Sequence, residues 1–126
     1  DQEENQGNLI RAFNVATNIS LDLPELETVG SDGIYFQNFS SLNCPKLTST
    51  ARIELNGATK CTELSFPSLT KLNEVRITRL TQLTDFTTFG KFIQDGQIAE
   101  DKWSVTSCKY NPTYQDMKDG KYKPAE

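Results

Sequence analysis

The sequence predicts an all-β chain: a right-handed β-helix, or solenoid, of about five short coils with leucine-rich-repeat character and a small C-terminal capping helix. Three observations carry that expectation. Units recur every 21 to 22 residues; Pro24, Pro45 and Pro67 mark the period; and each unit holds an apolar-polar-apolar triplet beside a leucine-rich arc with no long helical period. A unit this short supplies one or two strands and buries its apolar face only by stacking on its neighbours.

Two stretches define the unit. CPKLTSTARIEL, residues 44–55, aligns without a gap on FPSLTKLNEVRI, residues 66–77, with Pro, Leu and Thr identical at 45/67, 47/69 and 48/70. Ile53-x-Leu55 matches Val75-x-Ile77 in the same alignment. A further 21 positions back, LPELETVGSDGIYF (23–36) fits after a two-residue insertion around Gly30 to Gly33. Extending the register in both directions places triplet strands at 13–15, 34–36, 53–55, 75–77 and 103–105, the last delayed by the insertion FGKFIQDGQIAEDK. A second strand is expected before each proline, at Leu21-x-Leu23, Leu42-x-Cys44 and Leu64-x-Phe66, with Phe86 beginning a fourth. Proline fits there because it ends a strand where no ladder donor is required. A horseshoe with helices on its convex side is disfavoured, since the arcs LTKLNE, LTSTAR and LETVGSDG are short and rich in Thr, Ser and Gly.

The ends of such a stack need covers. Asn111 as N-cap, Pro112 as first helical residue and Gly120 as stop predict a short helix over TYQDMKD, and Phe89, Phe92 and Ile93 are expected to close the core near the last turn. The chain then divides into a disordered tail at 1–7, a repeat domain at 8–110, and a cap and tail at 111–126.

With 126 residues, 36% of them hydrophobic, the chain suits one domain with a modest core. A net charge of -4, with thirteen scattered Lys and Arg, argues against a nucleic-acid partner. No apolar run approaches the roughly 20 residues that span a bilayer. The start, DQEENQGN, lacks a signal peptide's basic and apolar regions, as expected of a mature or trimmed piece.

The absence of histidine excludes Ser-His-Asp and Cys-His catalysis and His-containing metal sites, and the three cysteines have no CxxC spacing. No catalytic residue, metal or cofactor is therefore expected. A glycosidase needs only two carboxylates. The register, however, predicts outward ladders of Asn14, Tyr35, Glu54, Arg76 and Ser104, and of Ala12, Gly33, Arg52, Glu74 and Lys102. These set Glu54 beside Arg76, and Glu74 between Arg52 and Lys102, which is charge pairing across strands rather than an acid poised to give a proton. Tyr35, Glu54 and Arg76 form the candidate ligand face. Sequons at Asn18-Ile-Ser and Asn38-Phe-Ser fall on turns leaving strands and make Asn18 and Asn38 the expected glycosylation sites. Cys44 and Cys61 lie on adjacent coils and are the expected disulfide, with Cys108 free or paired outside the chain.

The units LDLPELETVG, NCPKLTS and LSFPSLTKLNEVRI, followed by WSVTSCKYNPTYQDMKDGKY, resemble the C-terminal part of the fungal GPI-anchored cell-wall proteins of the extracellular-mutant and sporulation-specific group. The resemblance covers residues 13–123. It implies a receptor L-domain-like β-helix and a non-catalytic glycoprotein of the cell surface and wall. Such a protein contributes to cell-wall or spore-wall organisation by binding wall polysaccharide or wall proteins. Membrane attachment through a GPI anchor is implied by kinship alone, because the chain is shorter than a whole ectodomain and carries no Ser/Thr-rich stalk or apolar tail. The alternatives are a carbohydrate-active enzyme and a receptor-like adhesive ectodomain, and open coil edges leave room for self-association.

Overall fold

The computed structural model describes residues 10–12, 20–29 and 33–124. In chain order the elements are β1 (Ile10–Ala12), β2 (Ser20–Asp22), β3 (Ile34–Gln37), β4 (Ser41–Asn43), β5 (Ser49–Asn56), β6 (Leu64–Ser65) and β7 (Lys71–Thr78). After β7 come helix α1 (Thr87–Gln94), a 3-10 turn (Glu100–Lys102), β8 (Trp103–Thr106) and helix α2 (Tyr114–Lys118). All strand pairing is parallel: β1-β3-β5-β7-β8 form one sheet and β2-β4-β6 a smaller one.

Period-2 patterning explains the larger sheet. Ile34 and Phe36, Ile53 and Leu55, and Val75 and Ile77 point inward on consecutive strands, in the register Ile34↔Ile53↔Val75↔Trp103. Each such side chain is worth roughly 1.5–3 kcal/mol when removed from water. The prolines stand in three equivalent turns after β2, β4 and β6: the backbone N–H groups of Leu26, Leu47 and Leu69 donate to the carbonyls of Leu23, Cys44 and Phe66 at 3.4, 3.4 and 3.2 Å. Leu83 N–H closes a fourth turn on Leu80 at 3.0 Å without a proline. Neighbouring units are also tied through side chains, with Ser20 Oγ to Ser41 Oγ at 2.6 Å and Lys46 Nζ to Glu25 Oε1 at 3.2 Å.

The all-β expectation is corrected by this architecture. The protein is a small mixed α/β domain of two parallel sheets and two helices, not a right-handed β-helix of about five coils. The departure begins after β7. Phe86, expected to open a fourth second-sheet strand, is the N-cap of α1, and the smaller sheet ends at the two-residue β6. The segment FTTFGKFI spaces Phe86, Phe89, Phe92 and Ile93 at helical intervals, and α1 turns Phe89, Phe92 and Ile93 into the core. Phe89 meets Phe66 and Trp103 with ring centroids 6.2 and 6.0 Å away. A helix therefore covers the sheets where another strand was expected.

Two further placements differ. The strand paired with β3 is β1, with Ile10 opposite Ile34, while the expected triplet at 13–15 lies outside the described residues, as does the tail at 1–7. At the C-terminus the N-cap of α2 is Thr113 rather than Asn111: Thr113 Oγ1 accepts from Asp116 N–H at 3.0 Å, and Asp116 Oδ2 accepts from Thr113 N–H at 3.0 Å. This reciprocal capping box fixes the start two residues later than the Asn-Pro pair suggested. Pro112 instead offers its carbonyl to Trp103 Nε1–H at 3.0 Å.

Candidate ligand-binding face

The outward side of the larger sheet carries one row across four strands, Tyr35↔Glu54↔Arg76↔Ser104, and β1 brings Arg11 to the same register position. Asn14, expected in that row, lies outside the described residues, and Ala12 is opposite Phe36 instead of beside Gly33. Tyr35, Glu54 and Arg76 are thus brought together as expected, on neighbouring strands about 4.8 Å apart.

Their charge pairing runs differently from the expectation. Arg76 Nε donates to Glu74 Oε2 at 2.7 Å, and Arg52 Nε lies 3.8 Å from Glu54 Oε1. Both pairs join residues two apart on one strand, so these two contacts lie along β7 and β5, while Glu54 and Arg76, and Arg52 and Glu74, stand opposite each other across the strands. Side chains two apart share a face of a strand, and the long arginine stem reaches its own neighbour. The hydrogen bond and charge of Glu74, and more distantly the charge of Glu54, raise the Arg76 pKa above its ordinary value. Exposure is uneven: the Glu74 side chain is 17% exposed and that of Arg76 55%.

Beside this row the strands turn a corner. On β7 the inward residues Leu72 and Val75 are three apart, and on β5 Thr50 and Ile53 repeat the skip, so two consecutive residues on each strand face outward. Register is kept through the corner, with Arg52 opposite Glu74. Just before β3 the corresponding residue is Gly33, with φ of 77°, where a Cβ would come within 2.5 Å of the Arg52 carbonyl oxygen; only glycine fits that approach.

The corner opens into a shallow recess of about 370 Å³. Its walls are Ala51 and Arg52 from β5, Asn73 and Glu74 from β7, and Gln97, Ala99 and Lys102 from the segment between α1 and β8. It exists because β8 pairs with β7 only over 75–78, which leaves the first half of β7 without a strand on that side. Gln97 takes that place with its side chain: Oε1 accepts from Leu72 N–H at 3.1 Å and Nε2 donates to the Thr70 carbonyl at 3.0 Å. Asp95 holds Gln97 in position through its N–H at 3.1 Å and its Nε2 at 3.0 Å. Asn73 Nδ2 reaches the Gln97 carbonyl at 3.4 Å. Sequence reasoning named Arg52, Glu74 and Lys102 as a ladder and missed Asn73 and Gln97. The three-residue gaps from Thr50 to Ile53 and from Leu72 to Val75 were the signal for the corner.

The remaining expected sites are dispersed. Asn38 is half-buried at the end of β3 in a left-handed conformation (φ 59°), and Asn18 lies outside the described residues. Cys44 and Cys61 carry free thiols and are not joined in the structure. Burial, aided by Asp22, pushes the Cys44 thiol up to about 12; burial also pushes Cys61 up to about 11, against the opposing effect of the Glu63 backbone. Cys108 is half-buried, and burial raises it too. Among the described residues no three His, Cys, Asp or Glu side chains are grouped to hold a metal ion, and no helix is long and apolar enough to cross a membrane. No family model, no curated protein and no solved structure matches the chain.

Proposed function

We propose that the protein is a non-catalytic fungal cell-surface glycoprotein that contributes to the organisation and integrity of the cell or spore wall by binding wall polysaccharide. In this reading the outward face of the five-stranded sheet is the contact surface, wall proteins are the other partner class, and a GPI anchor holds the full-length protein at the surface. Asn18 and Asn38 carry its N-glycans. The resemblance of the proline-marked units and of the terminal WSVTSCKYNPTYQDMKDGKY to fungal wall proteins supports the cellular setting.

The observation that carries the binding reading is the row Tyr35–Glu54–Arg76–Ser104, one side chain per strand. A polymer of identical units repeats its hydroxyl groups at regular steps, and a parallel sheet repeats its side chains at regular steps of about 4.8 Å. The row offers a ring face with a hydroxyl, a carboxylate and a guanidinium, which together supply the stacking surface, acceptor and donor that sugar hydroxyls and C–H faces use. Glu54 in the row and Glu74 beside it are each next to an arginine, at 3.8 and 2.7 Å, an arrangement suited to holding a ligand rather than to giving it a proton.

Co-sedimentation with insoluble β-1,3-glucan, chitin and extracted fungal wall tests the reading. The wild-type protein should pellet with at least one polymer, and the combined change Tyr35→Ala, Glu54→Gln and Arg76→Ala should lower the bound fraction about tenfold. Equal pelleting of the variant, or no pelleting with any polymer, overturns it.

A further inference from the structure

We propose that the recess at the strand corner is a subsite for one neutral pyranose unit, held by Glu74, Asn73 and Lys102. This rests on the reading of the adjacent face as a saccharide-binding surface and deepens it by naming the place and charge class of the bound unit.

The charge of the walls selects the ligand. Glu74, 17% exposed, accepts at Oε2 from Arg76 Nε at 2.7 Å and brings its carboxylate to the wall of the recess. Lys102 stands at the other wall, and among the described residues its ammonium makes no ion pair. An anion entering here meets the Glu74 carboxylate, and exposed Glu100 and Asp101 precede Lys102 in the 3-10 turn. A cation meets Arg52 and Lys102. A neutral polyol meets neither penalty, because each hydroxyl both donates and accepts. One hydroxyl donates to the Glu74 carboxylate while the adjacent one accepts from Lys102, and the Asn73 amide, whose oxygen is uncommitted, serves a third.

Size and rigidity agree with this assignment. About 370 Å³ lies at the small end of the range for ligand pockets and suits one sugar ring with part of a second. The corner residues sit on paired strands, and the opposite wall is pinned to β7 by the Gln97 side chain at 3.1 and 3.0 Å, so the polar groups are held in place before a ligand arrives. The lining contains no aromatic ring, so a single unit should bind weakly. Affinity for a polymer then comes from engaging the recess and the Tyr35 row together.

The test is a ¹⁵N–¹H correlation titration of the protein with laminaritetraose, chitotetraose and mannotetraose, and separately with glucuronate and inorganic phosphate. The proposal expects one neutral oligosaccharide to shift the amides of 51–52, 73–74 and 97–102, with a dissociation constant in the millimolar range. Asn73→Ala and Glu74→Gln should each weaken it about tenfold while keeping the native spectrum. Equal shifts with phosphate or glucuronate overturn the neutral-sugar assignment. Shifts confined to the Tyr35 row overturn the recess and leave the saccharide reading standing. No response to any sugar, together with failed co-sedimentation, removes both.

Discussion

Gly90 in the middle of α1 provides the sharpest test of how the C-terminal segment is seated. A methyl group at Gly90 would lie 2.5, 2.7 and 2.9 Å from Cζ, Cε1 and Cε2 of Tyr122, where ordinary carbon contacts are about 3.5–4.0 Å. The ring must retreat by about 1 Å. It is held by the Phe86 N–H donating to the Tyr122 carbonyl at 2.9 Å and by Gln94 Nε2 donating to its hydroxyl at 3.2 Å. Gly90→Ala gains about 1 kcal/mol from helix propensity. Against this stand overpacking of about 1–3 kcal/mol and roughly 1 kcal/mol for a strained hydrogen bond. The balance is a net loss of about 1–3 kcal/mol, a fall in Tm of roughly 4–10 °C for a chain of this length. In a Tyr122→Ala background the methyl meets no ring, and the same substitution should stabilise by about 0.5–1 kcal/mol. Urea denaturation followed by Trp103, the single tryptophan, whose ring lies 6.3 Å from Phe86 and 6.0 Å from Phe89, reads the cycle close to the change. Equal destabilisation in both backgrounds would refute the contact as the cause.

Further expectations concern the sheet, the core and titration. Gln97→Ala should cost about 1–3 kcal/mol and speed hydrogen exchange at the Leu72 amide, while Glu54 and Arg76 amides keep their protection. Leu55→Ala, at a fully buried position, should cost about 2–5 kcal/mol by urea denaturation. The Thr113 backbone N–H holds the Asp116 carboxyl below its ordinary 3.8. Its contribution is therefore present above pH 3.8 and lost as pH falls through the depressed value, so the Tm gap between wild type and Asp116→Asn should close in acid. Cys44 and Cys61, ordinarily near 9.0, hold their protons to about 12 and about 11 in the fold. The unfolded chain releases them first, so stability should fall as pH rises above 9.0, with a smaller fall in Cys44→Ala.

The strands from β3 to β7 were legible because a two-residue period admits one inward register wherever one face is buried: Ile53-x-Leu55 on Val75-x-Ile77 leaves no second choice. The first strand was ambiguous, since IRAFNV contains Ile10-x-Ala12 and Phe13-x-Val15 three residues apart, and the insertion at Gly30 to Gly33 removes the period that would choose between them. The apolar spacing of α1 is present in the sequence, but its place between two repeat strands makes it read as an insertion. Tyr35, Glu54 and Arg76 could be placed from register alone. The recess could not, because it depends on a corner where the inward spacing slips by one residue and on a glutamine side chain folding back onto a strand edge far from it in sequence.

That glutamine has a consequence for how the surface can change over time. Between α1 and β8, the ties to β7 run through Asp95, Gln97 and Asn73, while the side chains of Ala99, Glu100 and Asp101 are exposed and make no hydrogen bond or ion pair among the described residues. Anchorage and exposed surface therefore reside in different residues of one short segment. Substitutions at 99–101 should change the exposed chemistry beside the recess at little cost to the fold, while the Asp95–Gln97 clamp keeps the frame unchanged.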